Sequence, residues 1–189
     1  MGNLKFEAYD TSTLPADRLE EVINAYTSLY RELDDPFRSG ERFRRQITGH
    51  MQAPAWQLVL ALDPSEVAGF AYGFGLAADT RWWEGLLFEV DPGFTREDGT
   101  RTFAISEINV LPPWRGQGLA GSLYRRLLAD RNEQRATLLT RPDNDVAHAI
   151  YEHWGWKTIG QTRPSWEHAP VFDVMMKALD KDVRADRAE

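Results

Sequence analysis

Residues 110–120 read V-L-P-P-W-R-G-Q-G-L-A, and the fold turns on what flanks them. Before them, residues 102–110 (T-F-A-I-S-E-I-N-V) mix β-branched and aromatic side chains at strand length. After them, Leu119, Leu123, Leu127 and Leu128 recur at helical spacing. The stretch is therefore a strand end, a glycine loop and a helix start. Gly116 and Gly118 remove Cβ atoms where backbone N–H groups would approach a ligand. The first N–H groups of a helix are unpaired donors at the positive end of its dipole, so the three parts together outline a phosphate cradle.

Towards the N-terminus, Leu4 to Tyr9 alternates as a strand and Asp10 to Thr13 offers helix-capping side chains. Leu19, Val22, Ile23, Tyr26, Leu29 and Tyr30 keep three-four spacing, which predicts a helix to about Leu33, stopped by Asp34, Asp35 and Pro36. Ser39 reads as the cap of a second helix through Phe43, Ile47 and Met51. Trp56 to Leu62 and Val67 to Ala77 read as strands joined by a hairpin turn at Asp63 to Glu66. Gly69, Gly73 and Gly75 in the second of them predict a bulge or a close backbone approach. Asp79 to Gly99 is aperiodic; its adjacent Trp82 and Trp83 cannot share one strand face, which sends one to the core and the other to a pocket border, unless both simply pack.

Towards the C-terminus, Ala136 to Thr140 is a short strand and Arg141 to Asp145 caps a helix that runs to Trp154 and ends at Gly155. Trp156 to Gln161 and Val171 to Met176 complete the strands, and the charged tail from Asp180 to Glu189 frays. The sum is an α/β chain with a mixed sheet of six to seven strands flanked by about four helices, read as a single domain over residues 1–179.

The 189 residues are enough for a proper core. No apolar run is long enough to span a bilayer and residues 1–10 lack a signal peptide's apolar stretch, so the reading is a soluble, cytoplasmic protein with no membrane partner. Lys and Arg total 22 against 29 Asp and Glu, a net charge of -7, which argues against a nucleic-acid partner and suits a cationic small molecule. With no cysteine there is no disulfide, no thiolate metal site and no cysteine acyl-enzyme, so acyl transfer in this chain would be direct. His50, His148, His153 and His168 show no metal-binding spacing, and no metal is expected.

Among phosphate loops, the Walker string G-x-x-x-x-G-K-S/T is absent, which disfavours a nucleotide hydrolase, and the dinucleotide fingerprint G-x-G-x-x-G is read as failing on spacing, with Gly121 one position early after Gly116 and Gly118. Arg115, Gly118 and Ala120 instead spell R-x-x-G-x-A, which resembles the pyrophosphate signature Q/R-x-x-G-x-G/A of the GNAT acetyltransferases. A second string, residues 144–156 (N-D-V-A-H-A-I-Y-E-H-W-G-W), is similar at every marked position to that family's N-x-x-A-x-x-x-Y-x-x-x-G-F/W/Y. The resemblance covers roughly Leu58 to Met176 and leaves the N-terminal helices to the family's variable acceptor region.

The resemblance implies a GNAT-like twisted sheet in which acetyl-CoA, the acyl donor, lies between two splayed parallel strands. Pantetheine would bond the backbone at Asn109, Val110 and Leu111, and an N–H near Ile108 to Val110 would polarise the thioester carbonyl. The pyrophosphate would be held by Arg115, Gly116, Gln117, Gly118, Leu119 and Ala120, with Arg125 and Arg126 either reaching the remaining phosphate or forming a solvated face.

The residues support such roles on their own chemistry. Asn144, Ala147 and Tyr151 share one helix face; Asn144 both donates and accepts towards an amide chain, and Tyr151 offers a proton to a departing thiolate. Tyr151 otherwise reads as a core tyrosine with its hydroxyl at the surface. Glu107 is the candidate base, or else a carboxylate in a salt bridge. Asp34, Asp35, Trp82, Trp83 and Glu84 are the weaker candidates for the acceptor site. The reading is an N-acetyltransferase acting on a small-molecule primary amine, with a homodimer allowed. A protein N-terminal or lysine acetyltransferase and a CoA-binding regulatory module are the alternatives.

Overall fold

A computed structural model of the chain describes residues 4–32, 38–64, 66–166 and 168–179. Among these the strands are β1 (Lys5–Tyr9), β2 (Gln57–Asp63), β3 (Glu66–Gly75), β4 (Thr102–Val110), β5 (Arg135–Thr140), β6 (Lys157–Thr162) and β7 (Phe172–Ala178). The helices are α1 (Ala16–Tyr30), α2 (Gly40–His50), α3 (Leu119–Leu128) and α4 (Asp145–His153). The strands form one mixed sheet in the order β1-β2-β3-β4-β5-β7-β6. Contacts divide the chain into two compact units, Met1–Phe74 with Ile105–Arg131, and Gly75–Ala104 with Asn132–Glu189.

In the first unit β1, β2 and β3 form an antiparallel meander whose two inner strands are buried along almost their whole length. That burial needs cover on both faces, and the helices supply it. Phe70 and Tyr72 of β3 meet Phe43 of α2 at ring separations of 5.9 and 6.2 Å. Gly69, on the opposite face, is where α3 comes close: a Cβ there would lie 3.1 Å from Leu123 Cδ1 and 2.8 Å from the Asn109 carbonyl oxygen. The expected bulge is beside it. Ala61 pairs with Gly69 and Leu62 with Val67, which leaves Ala68 without a partner of its own on β2. Gly69→Ala is expected to cost about 1–3 kcal/mol by overpacking, read as a lower urea midpoint at unchanged slope.

α1 begins after Pro15 rather than at Asp10 to Thr13. Asp10 Oδ1 instead accepts from the N–H groups of Ser12 and Thr13, both at 2.9 Å, so this short polar side chain builds a turn before the helix. Ser39 does cap α2, its Oγ accepting from the Arg42 N–H at 3.3 Å. Tyr26 of α1 stacks on Phe43 of α2 at 3.9 Å and 4°.

The second unit contains the antiparallel set β5-β7-β6, helix α4 and the loop from Leu76 to Arg101. The loop carries no named strand beyond a single bridge from Leu86 to Thr162, yet it is anchored by a buried centre. Arg135 on β5 donates to Glu97 Oε1 at 2.9 Å and to the Phe94 carbonyl at 2.6 Å, and Trp83 Nε1 and Thr102 Oγ1 donate to the same carboxylate oxygen at 3.0 and 2.8 Å. The tail from 180 onward lies outside the described residues. Among the described residues no helix is long and apolar enough to cross a membrane.

Candidate active site

β4 ends at Val110, and the next N–H, that of Leu111, donates to the Ala68 carbonyl at 3.0 Å. The bulge in β3 thus frees the carbonyl that holds the start of the glycine loop. Pro112–Trp114 makes a single 3-10 turn, and Trp114 Nε1 donates to Asp63 Oδ2 at 2.9 Å, tying the turn to the β2–β3 hairpin. Gly116 and Gly118 then take φ of +73° and +75°, the left-handed region that disfavours a side chain. A Cβ at either would meet nothing within 4 Å, so open space lies beyond a backbone that demands glycine. Gly118 is the N-cap of α3 and supplies no capping side chain. The N–H groups of Leu119, Ala120 and Gly121 therefore open the helix, with no acceptor for them among the described residues. A set of aligned donors at a helix start suits an anion such as a diphosphate.

On β4, ahead of this loop, stands Glu107. Asn109 Nδ2 donates to its Oε2 at 2.9 Å, and Gln46 Nε2 from α2 reaches its Oε1 at 3.4 Å. Burial is the main influence and pushes the carboxyl pKa up; Asn109, the Arg38 guanidinium and Gln46 pull the other way. Asn109 is itself buried, and its Oδ1 accepts from the Tyr30 hydroxyl at 2.9 Å. Gln46 also lies 3.1 Å from the Tyr72 hydroxyl and 3.2 Å from Ser106 Oγ, and His50 Nδ1 is 3.2 Å from Tyr72 Oη. Burial lowers the His50 pKa to about 4, so the ring is neutral near pH 7. The carboxylate is held by two neutral amides, and burial outweighs their pull and that of the Arg38 guanidinium, an arrangement that leaves it more basic than an ordinary carboxylate.

In the second unit, Asn144 is the N-cap of α4, its Oδ1 accepting from the Ala147 N–H at 3.1 Å. Tyr151 follows on the same helix, half-buried, with Trp154 and Trp156 at ring separations of 5.9 and 6.0 Å.

Residues 19–156, more than half of the chain, match the family model described as the acetyltransferase (GNAT) family. The chain belongs to this family. It is 33% identical over 107 residues to a GCN5-like protein acetyltransferase of Mycobacterium tuberculosis, across 52% of each protein. It thus spans about half the length of that curated relative. Solved structures share the fold. Ard1 of Thermoplasma volcanium superposes with a TM-score of 0.61 at 13% identity, over 94% of this chain and 99% of that one. The ribosomal-protein-S18-alanine N-acetyltransferase of Escherichia coli gives 0.61 at 16%, over 93% and 95%.

The family match starts in α1, not near Leu58, and stops at Trp156, so it takes in the N-terminal helices and leaves out β6 and β7. Residues 116–121 do place glycines at positions one, three and six, as the dinucleotide fingerprint requires. What differs is context: that fingerprint follows the first strand of a parallel βαβ unit, whereas this GNAT loop follows a fourth strand after an antiparallel meander.

Several of the other expected residues already have partners within the chain. The Leu111 N–H is taken by the Ala68 carbonyl, and its own carbonyl accepts from the Trp114 N–H at 3.0 Å with one lone pair to spare. Arg115 Nε folds back onto the Val110 carbonyl at 3.0 Å, and Gln117 Nε2 onto the Pro113 carbonyl at 3.1 Å. The Arg126 guanidinium sits 4.0 Å over the Phe6 ring, while Arg125 lies 3.4 Å from Ser122 Oγ. Asn144 has its amide oxygen engaged in the cap. Trp83 is core, bonded to Glu97, and Trp82 is half-buried. Glu84 is exposed and paired with Arg81 at 2.8 Å, with Ser165 also donating to it, so it is no vacant anchor for a cation. Asp34 and Asp35 lie outside the described residues.

Sequence reading overlooked Gln46, His50, Tyr72 and Ser106, and took Tyr30 for an apolar helix position. The available signal was on α2. Positions 43, 46, 47 and 50 form one face, and two of the four are polar beside the buried Phe43 and Ile47.

Proposed function

We propose that this GNAT chain is an acetyl-CoA-dependent N-acetyltransferase whose acceptor is a primary amine of a small molecule, working in the cytoplasm without a metal. The observation that carries the reading is the Gly118-capped start of α3, with unpaired N–H groups and open space, directly after the strand that bears Glu107. Bound acetyl-CoA would supply an activated acyl carbon on a thiol leaving group. The backbone from Gly116 to Ala120 holds the pyrophosphate, and Asn109 and Val110 offer backbone groups to the pantetheine arm. Glu107 takes the proton that the amine must lose, and Tyr151 gives one to the departing thiolate, a role assigned by the family's tyrosine position. The surplus of acidic residues supports a cationic acceptor.

A protein acceptor is the second reading, favoured by the name of the mycobacterial relative. Thiol release from acetyl-CoA, measured against polyamines, aminoglycosides, amino acids and lysine or N-terminal peptides, separates the two. Release with small amines supports the first reading, and release with peptides alone supports the second. CoA binding without release on any acceptor leaves a regulatory CoA-binding module. On an accepted amine, Tyr151→Phe is expected to lower kcat by about 10²-fold with little change in KM. An unchanged kcat removes Tyr151 from the mechanism.

A further inference from the structure

We propose that Tyr30 is a positioning residue for Glu107, acting through Asn109: its hydroxyl fixes which end of the Asn109 amide is presented to the carboxylate. A carboxylate only accepts hydrogen bonds, so Asn109 must turn Nδ2 towards Glu107 Oε2, the 2.9 Å contact observed. That leaves Oδ1 of a buried side chain in need of a donor, and a buried polar atom without a partner is costly. Tyr30 supplies the donor at 2.9 Å. Its direction is fixed, because burial and the Glu107 charge both push the Tyr30 pKa up and keep the phenol protonated.

The second amide matters less. Gln46 Nε2 has two protons and three oxygens within reach, and Glu107 is the most distant of them at 3.4 Å. Tyr30 is itself set by packing. It closes α1, lies against Tyr26 at 4.6 Å, and carries the Arg38 guanidinium over its ring at 4.5 Å. The placement of the N-terminal helices is thereby passed to the carboxylate. The titratable and charged groups around this centre are Tyr26 and Tyr30 of α1, Arg38 ahead of α2, His50 of α2, Tyr72 of β3, and Arg115, which acts on Tyr30.

The kinetic meaning of this inference rests on Glu107 being the base, but its test does not. The full chain labelled with 13C at the glutamate δ-carbon is titrated by NMR, and the Glu107 signal is assigned by its loss in Glu107→Gln. In Tyr30→Phe the Glu107 midpoint is expected to rise by about 0.5–1 on the pH scale, because a hydrogen bond favouring the ionised form is loosened. In Tyr30→Phe/Asn109→Ala it should match Asn109→Ala alone. An unmoved midpoint in Tyr30→Phe, or additive shifts in the double variant, overturns the proposal. The Tyr30→Phe result stands by itself if Asn109→Ala does not fold. If Glu107→Gln keeps the acid limb of the rate profile while Tyr30→Phe still moves the Glu107 titration, the base assignment fails and the positioning role holds.

Discussion

Glu107→Gln is expected to lower kcat by about 10²–10⁴-fold on any amine the parent accepts, the range for loss of a positioned general base. The substitution keeps the size and planarity of the side chain and one oxygen to accept from the nearer amide, Asn109, so a fall of this size reports proton uptake rather than packing. The pH dependence supplies the second readout. A base works when ionised, so activity rises as pH climbs through the Glu107 pKa. Burial holds that pKa above the ordinary carboxylate range, against the pull of Asn109, Arg38 and Gln46. The acid limb of kcat/KM should therefore lie above the usual carboxylate midpoint in the parent and vanish in Glu107→Gln. A limb that survives assigns the base elsewhere.

Glu97→Ala is expected to have the largest effect on stability, about 3–5 kcal/mol, the cost of removing one partner of a buried pair. The Glu97 side chain is fully buried and that of Arg135 is 13% exposed, so neither solvent nor salt replaces the lost charge. Trp83 Nε1 and Thr102 Oγ1 lose their acceptor in the same step. With stabilities of small domains near 5–15 kcal/mol, such a loss removes a large share of the total. Glu97→Gln keeps an oxygen for Trp83 and Thr102 while removing the charge, and should cost less. Urea unfolding followed by tryptophan fluorescence orders the three proteins. Equal midpoints for Glu97→Ala and the parent would show that the centre does not hold the loop. The exposed pair of Arg44 and Glu20 makes the contrast, because water and salt screen it and its removal should be nearly silent.

What was legible in the sequence was whatever is local or periodic. Residues 102–128 announced a strand, a glycine turn and a helix because a change in hydrophobic period marks each boundary. The run from Asn144 to Trp156 carries cap, helix face and terminal glycine in a single string. The glycines of β3 pointed to the close approach that Gly69 makes to the Asn109 carbonyl. What stayed hidden joins residues far apart in the chain. Gln46 meets Ser106 across 60 positions, Tyr30 meets Asn109 across 79, and Arg135 meets Glu97 across 38. No period records such pairings, so Trp83 and Glu84 read as acceptor-site residues although one is core and the other is paired with Arg81. The same holds for the Leu111 N–H, whose partner is set by a bulge one strand earlier, at Ala68.

Direct transfer of an acetyl group from acetyl-CoA to an amine is checked by quantifying CoA thiol and N-acetylated product together, in the purified protein, with and without each amine or peptide. The expected result is amine-dependent thiol release matched one to one by acetylated product. Tight CoA binding with no amine-dependent release on any acceptor would contradict it.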